Sequence, residues 1–350
     1  MRWRPAPSCC EVGPVSPDPS LPAVDYTDTC SRPPWHQLPS AVRDAVDRAA
    51  GSPVVRAAEP VRSGFTGGFA ALRDGRKVFG KAGSSRNSHL PAAYAQEAQV
   101  MQVLPPDCPA PAFVGASHLP AGEGDEHEWR IVVAQAVDGE IPQPWTEVSV
   151  AAVHKACVTV ARVLSASSGS FDFEVSSLAQ DYGQDPGILD SFPGLADGSL
   201  PLTGGQPGWL PFRLDELAEL VRLAPEALAG DVPCHNDLRA DNVLVTPAGQ
   251  AVLVDWNWLG TGPAWVDFIA LLPLARADGV DVDAWVRRSP LTRDADPQHV
   301  DSWLAVIAGY MLSHADAPVW PGGPPSVRQH QRRYARTFLD WLAARRGWLR

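Results

Sequence analysis

An α+β protein in two unequal parts is what this sequence predicts: an antiparallel-sheet part first, then a larger, mostly helical part. Three observations predict it. Short apolar runs broken by Gly-containing turns fill residues 61–82 and return at 129–137, the pattern of strands and hairpins. Beyond residue 150 the apolar residues recur at helical spacing instead. One hairpin pattern, at 243–254, interrupts that helical stretch.

Residues 1–34 include eight prolines and no apolar period, so a disordered leader is expected there. Val61 to Leu72 reads as strand, glycine turn, strand. Gly64, Gly67 and Gly68 form a G-x-x-G-G pattern, and glycines let backbone amides approach an anion with no Cβ in the way. Asp74-Gly75 turns the chain into a strand, Arg76 to Ala82, which carries Lys81. The chain has only three lysines, Lys77, Lys81 and Lys155, among 29 basic residues. A lysine kept within an apolar strand of such a chain points to a need for a compact point charge. Pro91 to Leu104 is rich in helix formers, and Ala93, Val100, Met101 and Leu104 share a face that also holds Glu97. Trp129 to Val137 is a buried strand. Ile141 to Trp145 connects the two parts, taken as 35–140 and 141–350.

The helical part begins with a face made of Val150, Val153, Cys157, Val160 and Leu164. Asp296-Pro297 starts a helix as N-cap and first-turn proline, with Val300, Trp303, Leu304, Ile307, Tyr310 and Met311 as its core stripe. Val327, Tyr334, Phe338, Trp341 and Leu342 mark a last helix. Tryptophans in these stripes read as core.

The segment His235 to Trp256 carries the chemistry. Val243-Leu244-Val245 and Ala251-Val252-Leu253-Val254 flank a Thr246–Gln250 turn. An antiparallel pairing returns Asn242 and Asp255 to one end of the hairpin, with Asp237 on the loop leading in. Two carboxylates and an amide together offer hard oxygen ligands, which suit Mg²⁺ sharing its site with phosphates. Phosphoryl transfer asks for the same set: one Asp for the nucleophile's proton, an Asn and a second Asp for the metal.

This segment, H-x-D-x4-N followed by a hairpin ending in Asp255, resembles the aminoglycoside phosphotransferase and choline kinase family, small-molecule relatives of the protein kinases. Trp265 to Leu272 is similar to the family's segment in which an Asp, here Asp267, braces the catalytic loop. Asn236 stands where the family more often has Gly, and Trp256-Asn257 where Phe-Gly is common. The resemblance spans about residues 35–345 and implies a bilobal protein-kinase-like fold. It implies that ATP lies between the lobes under the Gly64–Gly68 loop, with Gly80 allowing close approach of the nucleotide. Lys81, paired with Glu97, would contact the phosphates. Asn242 and Asp255 would hold Mg²⁺, Asp237 would serve as base, and His235 would brace the loop. The activity implied is ATP- and Mg²⁺-dependent phosphorylation of a hydroxyl on a small-molecule acceptor, possibilities running from an aminoglycoside-like cation to a metabolic alcohol such as choline. Two other classes stay open: a kinase-like protein that binds nucleotide without transfer, and a non-kinase α+β interaction protein that Mg·ATP would not stabilise.

Composition narrows the partners. A formal charge of −11 argues against nucleic acid. No apolar run reads as long enough to span a bilayer, and Met1 to Pro5 lacks the apolar core of a secretion signal. Six cysteines without paired or zinc spacing read as reduced thiols of a cytoplasmic protein, a monomer or homodimer. Between Val163 and Phe212 there is no Lys or Arg, while Asp172, Glu174, Asp181, Asp185, Asp190 and Asp197 lie there. Such a charge beside the site would attract a cationic acceptor.

Overall fold

The computed structural model describes residues 34–58, 67–167, 171–201, 206–319 and 326–349. Its first lobe is a five-stranded antiparallel sheet of β1 (Val54–Ala57), β2 (Gly67–Leu72), β3 (Lys77–Ser84), β4 (Phe113–Leu119) and β5 (Trp129–Gln135), in the order β1-β2-β3-β5-β4. Helix α1 (Ser40–Ala50) covers one face and α2 (Leu90–Val103) the other.

Side chains alternate across a strand, and directly paired residues share a face. On β3 that puts Val78, Gly80 and Ala82 outward, where Val78 and Ala82 pack with Ile131, Val133 and the α1 residues Val42, Ala45, Val46 and Ala49. These α1 positions recur at i, i+3, i+4 and i+7, a one-sided apolar stripe. Phe79, Lys81 and Gly83 point the other way, toward α2 and the second lobe. On that side Tyr94, Val100, Met101, Val132 and Ala134 belong to the same apolar cluster as Val153, Leu164, Leu253 and Trp256. One core therefore runs through both lobes.

The second lobe contains α3 (Glu147–Ser167), β6 (Ser176–Ser177), α4 (Leu178–Gly183), α5 (Pro186–Leu189), α6 (Ser191–Asp197), α7 (Leu214–Arg222), α8 (Ala224–Ala227), β7 (Val232–Cys234), β8 (Val243–Val245), β9 (Ala251–Leu253), β10 (Gly260–Gly262), α9 (Val266–Ala277), α10 (Val282–Arg288), α11 (Pro297–His314) and α12 (Val327–Arg346). Strands β8 and β9 form the hairpin, and β10 joins β6 to β7. The Asp296 side chain accepts from Gln298 N at 2.8 Å, capping α11.

Two expectations need correction. Helix α3 is long and apolar enough, by length and composition, to cross a bilayer, where the sequence suggested no such run. Its apolar face packs on β7, β9 and α9, so its hydrophobicity serves the lobe's core. Tyr310, placed in the core stripe, is 36% exposed, because it lies in the last turns of α11 (Pro297–His314), beyond the best-buried part of the helix.

Gly115 on β4 is where α1 comes closest. A Cβ there would stand 2.1 Å from the Ala49 carbonyl oxygen, whereas one at Gly80 would meet nothing within 4 Å. Gly115→Ala should therefore cost about 1–3 kcal/mol, as overpacking does, and lower the melting temperature. Gly80→Ala should leave it unchanged within about 0.5 kcal/mol, the ordinary range for substitutions away from special features. Denaturant unfolding of both variants checks this.

Candidate active site

On the sheet side, the register opposes Gly67 to Lys81 and Gly68 to Gly80. Gly67 and Gly68 are thus the opening residues of strand β2 and not part of the turn itself. Gly68, paired with Gly80, faces outward. Gly64 lies outside the described residues. Gly80 also faces outward, toward α1, so its missing side chain does not admit a ligand to the cleft. Gly83 is the glycine that matters for spacing. It shares the inner face with Lys81, and a Cβ there would lie 2.7 Å from the Tyr94 ring and 2.9 Å from Leu90. Its absence lets α2 lie close against β3.

That approach lets two charged groups meet. Lys81 Nζ donates to Glu97 Oε1 at 2.7 Å and to Oε2 at 2.9 Å, and to Asp255 Oδ1 at 2.6 Å. It also stands 5.7 Å above the Tyr94 ring. Glu97 is 2% exposed. Burial alone would lower the Lys81 pKa, but Asp255 and Glu97 outweigh it and hold the ammonium firmly charged. Burial raises the Glu97 pKa against the pull of Lys81. Asp255 is kept below the usual range, since Lys81 overcomes the cost of burial.

On the second-lobe side, the loop after β7 is fixed by backbone contacts. Asp267 accepts from the backbone N–H groups of His235 at 2.7 Å and Asn236 at 2.9 Å. His235 is fully buried, and burial lowers its pKa, leaving it neutral. Its Nε2 lies 2.9 Å from the Val254 carbonyl oxygen, so Nε2 carries the proton. Its Nδ1 accepts from Asp237 N at 3.4 Å. His235 thereby ties the loop to the far end of the hairpin, and its ring lies against Trp256 with centroids 4.6 Å apart. Asn236 has φ 63°, a left-handed conformation that Asn tolerates better than most residues and Gly adopts freely. The side chain repays this by accepting from the Tyr182 hydroxyl at 3.2 Å.

Asn242 and Asp255 do meet at one end of the hairpin, where Val254 N donates to Asn242 O at 2.9 Å. Asn242 Nδ2 donates to Asp237 O at 2.7 Å and Asp237 Oδ2 at 3.2 Å. The amide thus spends its nitrogen on Asp237 and leaves its oxygen for a cation. Asp255 gives Oδ1 to Lys81 and retains Oδ2. Among the described residues no group of three His, Cys, Asp or Glu side chains could hold a metal. An amide oxygen and one carboxylate instead fit Mg²⁺, which keeps waters and completes its shell with phosphate oxygens. Asp237 itself is about a quarter exposed. Burial raises its pKa to about 7 against the pull of Arg239, in the range useful for a base at neutral pH.

Three further groups had no place in the sequence argument. Arg239 stands beside Asp237, with Nε 3.6 Å from Asp237 Oδ1 and 3.3 Å from Asp241 Oδ1. Phe69 and Phe79, paired across β2 and β3, meet edge to face at 5.0 Å on the inner face that carries Lys81. The arginine was legible as the residue two beyond Asp237, and the phenylalanines by their alternation with the glycines. The acid-rich segment is divided. Asp185 accepts from Gly187 N at 2.7 Å to cap α5, and Asp197 accepts from Ser199 N at 2.9 Å. Burial, then the charges of Asp237 and Asp185, raises the pKa of the Tyr310 phenol.

Residues 57–298 match the model of a phosphotransferase enzyme family. The chain belongs to that family. Solved structures share the bilobal protein-kinase-like fold at low identity. An aminoglycoside phosphotransferase from Alicyclobacillus acidocaldarius is 17% identical with TM-score 0.53, covering 91% of this chain and 97% of its own. A fructosamine-3-kinase assignment from Thermobifida fusca is 19% identical with TM-score 0.51, covering 85% and 98%. An aminoglycoside phosphotransferase in ternary complex with AMP-PNP and hygromycin B is 15% identical with TM-score 0.55, covering 87% and 98%. No curated protein matches the chain. Family membership makes the chain a small-molecule phosphotransferase.

Asp267 braces the loop after β7 by accepting from two of its backbone N–H groups. Asp267→Ala should strand two buried N–H groups and cost at least about 1–3 kcal/mol, the desolvation penalty of one such group. Asp267→Asn, which keeps one acceptor oxygen, should cost less. Urea unfolding of the pair checks the order.

Proposed function

We propose that this phosphotransferase moves the γ-phosphoryl group of ATP, bound with Mg²⁺, to a hydroxyl of a small cationic alcohol. The observation that carries the reading is the double engagement of Lys81, from the sheet lobe, by Glu97 and by Asp255 of the hairpin. It supports a reading in which Lys81 binds phosphate and Asp255 binds metal, with Asn242 hydrogen-bonded to Asp237 on the same hairpin end. Phe69 and Phe79 give the inner face of the sheet an apolar surface suited to a nucleotide base. The neighbour that holds AMP-PNP and hygromycin B supports a nucleotide in this cleft and an acceptor beside it.

Each residue then has a task. Lys81, oriented by Glu97, neutralises phosphate charge. Asn242 and Asp255 hold Mg²⁺, which supplies charge neutralisation across the transferred group. Asp237 accepts or orients the acceptor's hydroxyl proton. His235 and Asp267 keep Asp237 in position. Little covalent chemistry is asked of the protein, so positioning and electrostatics supply most of the rate. The buried free thiols Cys108, Cys157 and Cys234 suit a reducing, cytoplasmic setting. The boundary between lobes is placed at residues 140/141.

Asp237→Asn should still bind Mg·ATP and lose turnover by roughly 10²–10⁴, the range for a positioned proton acceptor. Asp255→Ala should abolish Mg·ATP-dependent turnover with the fold intact. An ATP-consumption screen over hydroxylated cations, read against both variants, tests the roles; wild-type turnover in Asp255→Ala contradicts the metal assignment. If Asp185 and Asp190 attract the acceptor, raising salt should raise its KM, since exposed charges are screened over about 8–10 Å at physiological ionic strength. Asp185→Asn with Asp190→Asn should reproduce that rise and leave kcat nearly unchanged.

A further inference from the structure

We propose that Arg239 is a positioning residue for Asp237, clamped from behind by Asp241, and that this pair sets the orientation of the catalytic carboxylate. The inference rests on the phosphotransferase reading and adds two residues that the metal, base and phosphate-binding roles leave unused.

The geometry is that of a chain of alternating charges. Asp241, with a side chain only 14% exposed, stands 3.3 Å from Arg239 Nε, and Arg239 Nη2 donates to its other oxygen at 3.3 Å. On its other side Arg239 Nε faces Asp237 Oδ1 at 3.6 Å. That Nε–H is sealed from solvent with no acceptor in hydrogen-bonding geometry, as is Asp241 Oδ1. A buried guanidinium N–H between two carboxylates and fully committed to neither is costly, which sets it apart from an ordinary surface ion pair. Asp237 thus has a neighbour at each oxygen. Oδ2 accepts from the Asn242 amide at 3.2 Å, and Oδ1 faces the Arg239 charge at 3.6 Å.

The backing is rigid. The next residue, Ala240, donates its N–H to the Tyr334 hydroxyl at 3.3 Å. The His330 ring lies tilted against Tyr334 with centroids 4.1 Å apart. Helix α12 therefore supports the loop directly behind Arg239. An arginine at this place acts through Asp237, so its loss should appear in the rate of transfer more than in the binding of nucleotide. Misplacement of a reacting group by about 1 Å can cost on the order of 10²-fold in rate.

The test uses the full chain, Mg·ATP, and as acceptors spectinomycin, hygromycin B, choline and water, compared at the one wild type uses fastest. Arg239→Ala should lower kcat by about 10²-fold, with the Kd for Mg·ATP and the melting temperature close to wild type. Added guanidinium should restore part of the lost rate, because it refills the gap beside Asp237. Arg239→Lys, which keeps a charge without the planar fork, should fall between wild type and Arg239→Ala. Asp241→Asn should show a smaller loss of kcat in the same direction. A kcat for Arg239→Ala near wild type overturns the proposal. So does a loss that guanidinium leaves untouched, or one matched by weaker Mg·ATP binding or a lower melting temperature. If wild type neither binds Mg·ATP nor transfers phosphate to any of the four, the phosphotransferase reading itself fails and takes the inference with it; binding without transfer overturns the inference alone.

Discussion

One buried cation holds the two lobes in register. Lys81 comes from the sheet, Glu97 from α2 and Asp255 from the hairpin of the second lobe, and all three converge within hydrogen-bonding distance. Removing these charges from water is expensive, and mutual attraction offsets that cost only where the geometry is good. The arrangement is therefore weak evidence for stability and stronger evidence for a purpose, which the proposed phosphate and metal roles would supply. Two acids stand against one lysine in the cluster, and Asp237 and Asp241 lie on the other side with Arg239 as the counterweight. A divalent cation brought in with the nucleotide would relieve that imbalance.

The rest of the molecule can be understood as what keeps this cluster together. The continuous core from Tyr94 and Met101 to Leu253 and Trp256 seats the first lobe on the hairpin. Leu253 N donates to Pro109 O at 2.7 Å, a backbone tie between the segment after α2 and β9. Gly83 allows α2 to lie near enough for Glu97 to reach Lys81. Asp267 and His235 fix the loop, the first through two backbone N–H groups and the second through the Val254 carbonyl. Apolar packing gives the distances, and backbone hydrogen bonds give the orientations.

Much of this was legible in the sequence, for definite reasons. The hairpin and its polar ends follow from strand alternation around a Gly-containing turn. Lys81 stood out because lysine is scarce in this chain, and Glu97 because it interrupts an apolar helix face. Other features depend on packing that no local pattern reveals. Gly80 and Gly83 look alike in sequence; only the register of β3 against β5 shows that one faces α1 and the other α2. Tyr310 fits the apolar period of α11, yet it lies in the helix's last turns and is partly exposed. Helix α1 carries plain helical spacing in Val42, Ala45, Val46 and Ala49, but it follows directly on a proline-rich stretch that has no apolar period. Arg239 looked like one arginine among many, because its meaning lies in the carboxylates on either side of it.

The most direct measurement is a double-mutant cycle between Lys81 and Glu97, read through the affinity for Mg·ATP. If Glu97 acts by holding Lys81 for the phosphates, Lys81→Met and Glu97→Gln each weaken Mg·ATP binding, and the double variant is little worse than Lys81→Met alone. The coupling energy should then fall within about 0.5–3 kcal/mol, the span found for residues in one network. Additive losses would show that the two side chains act independently and would contradict the account.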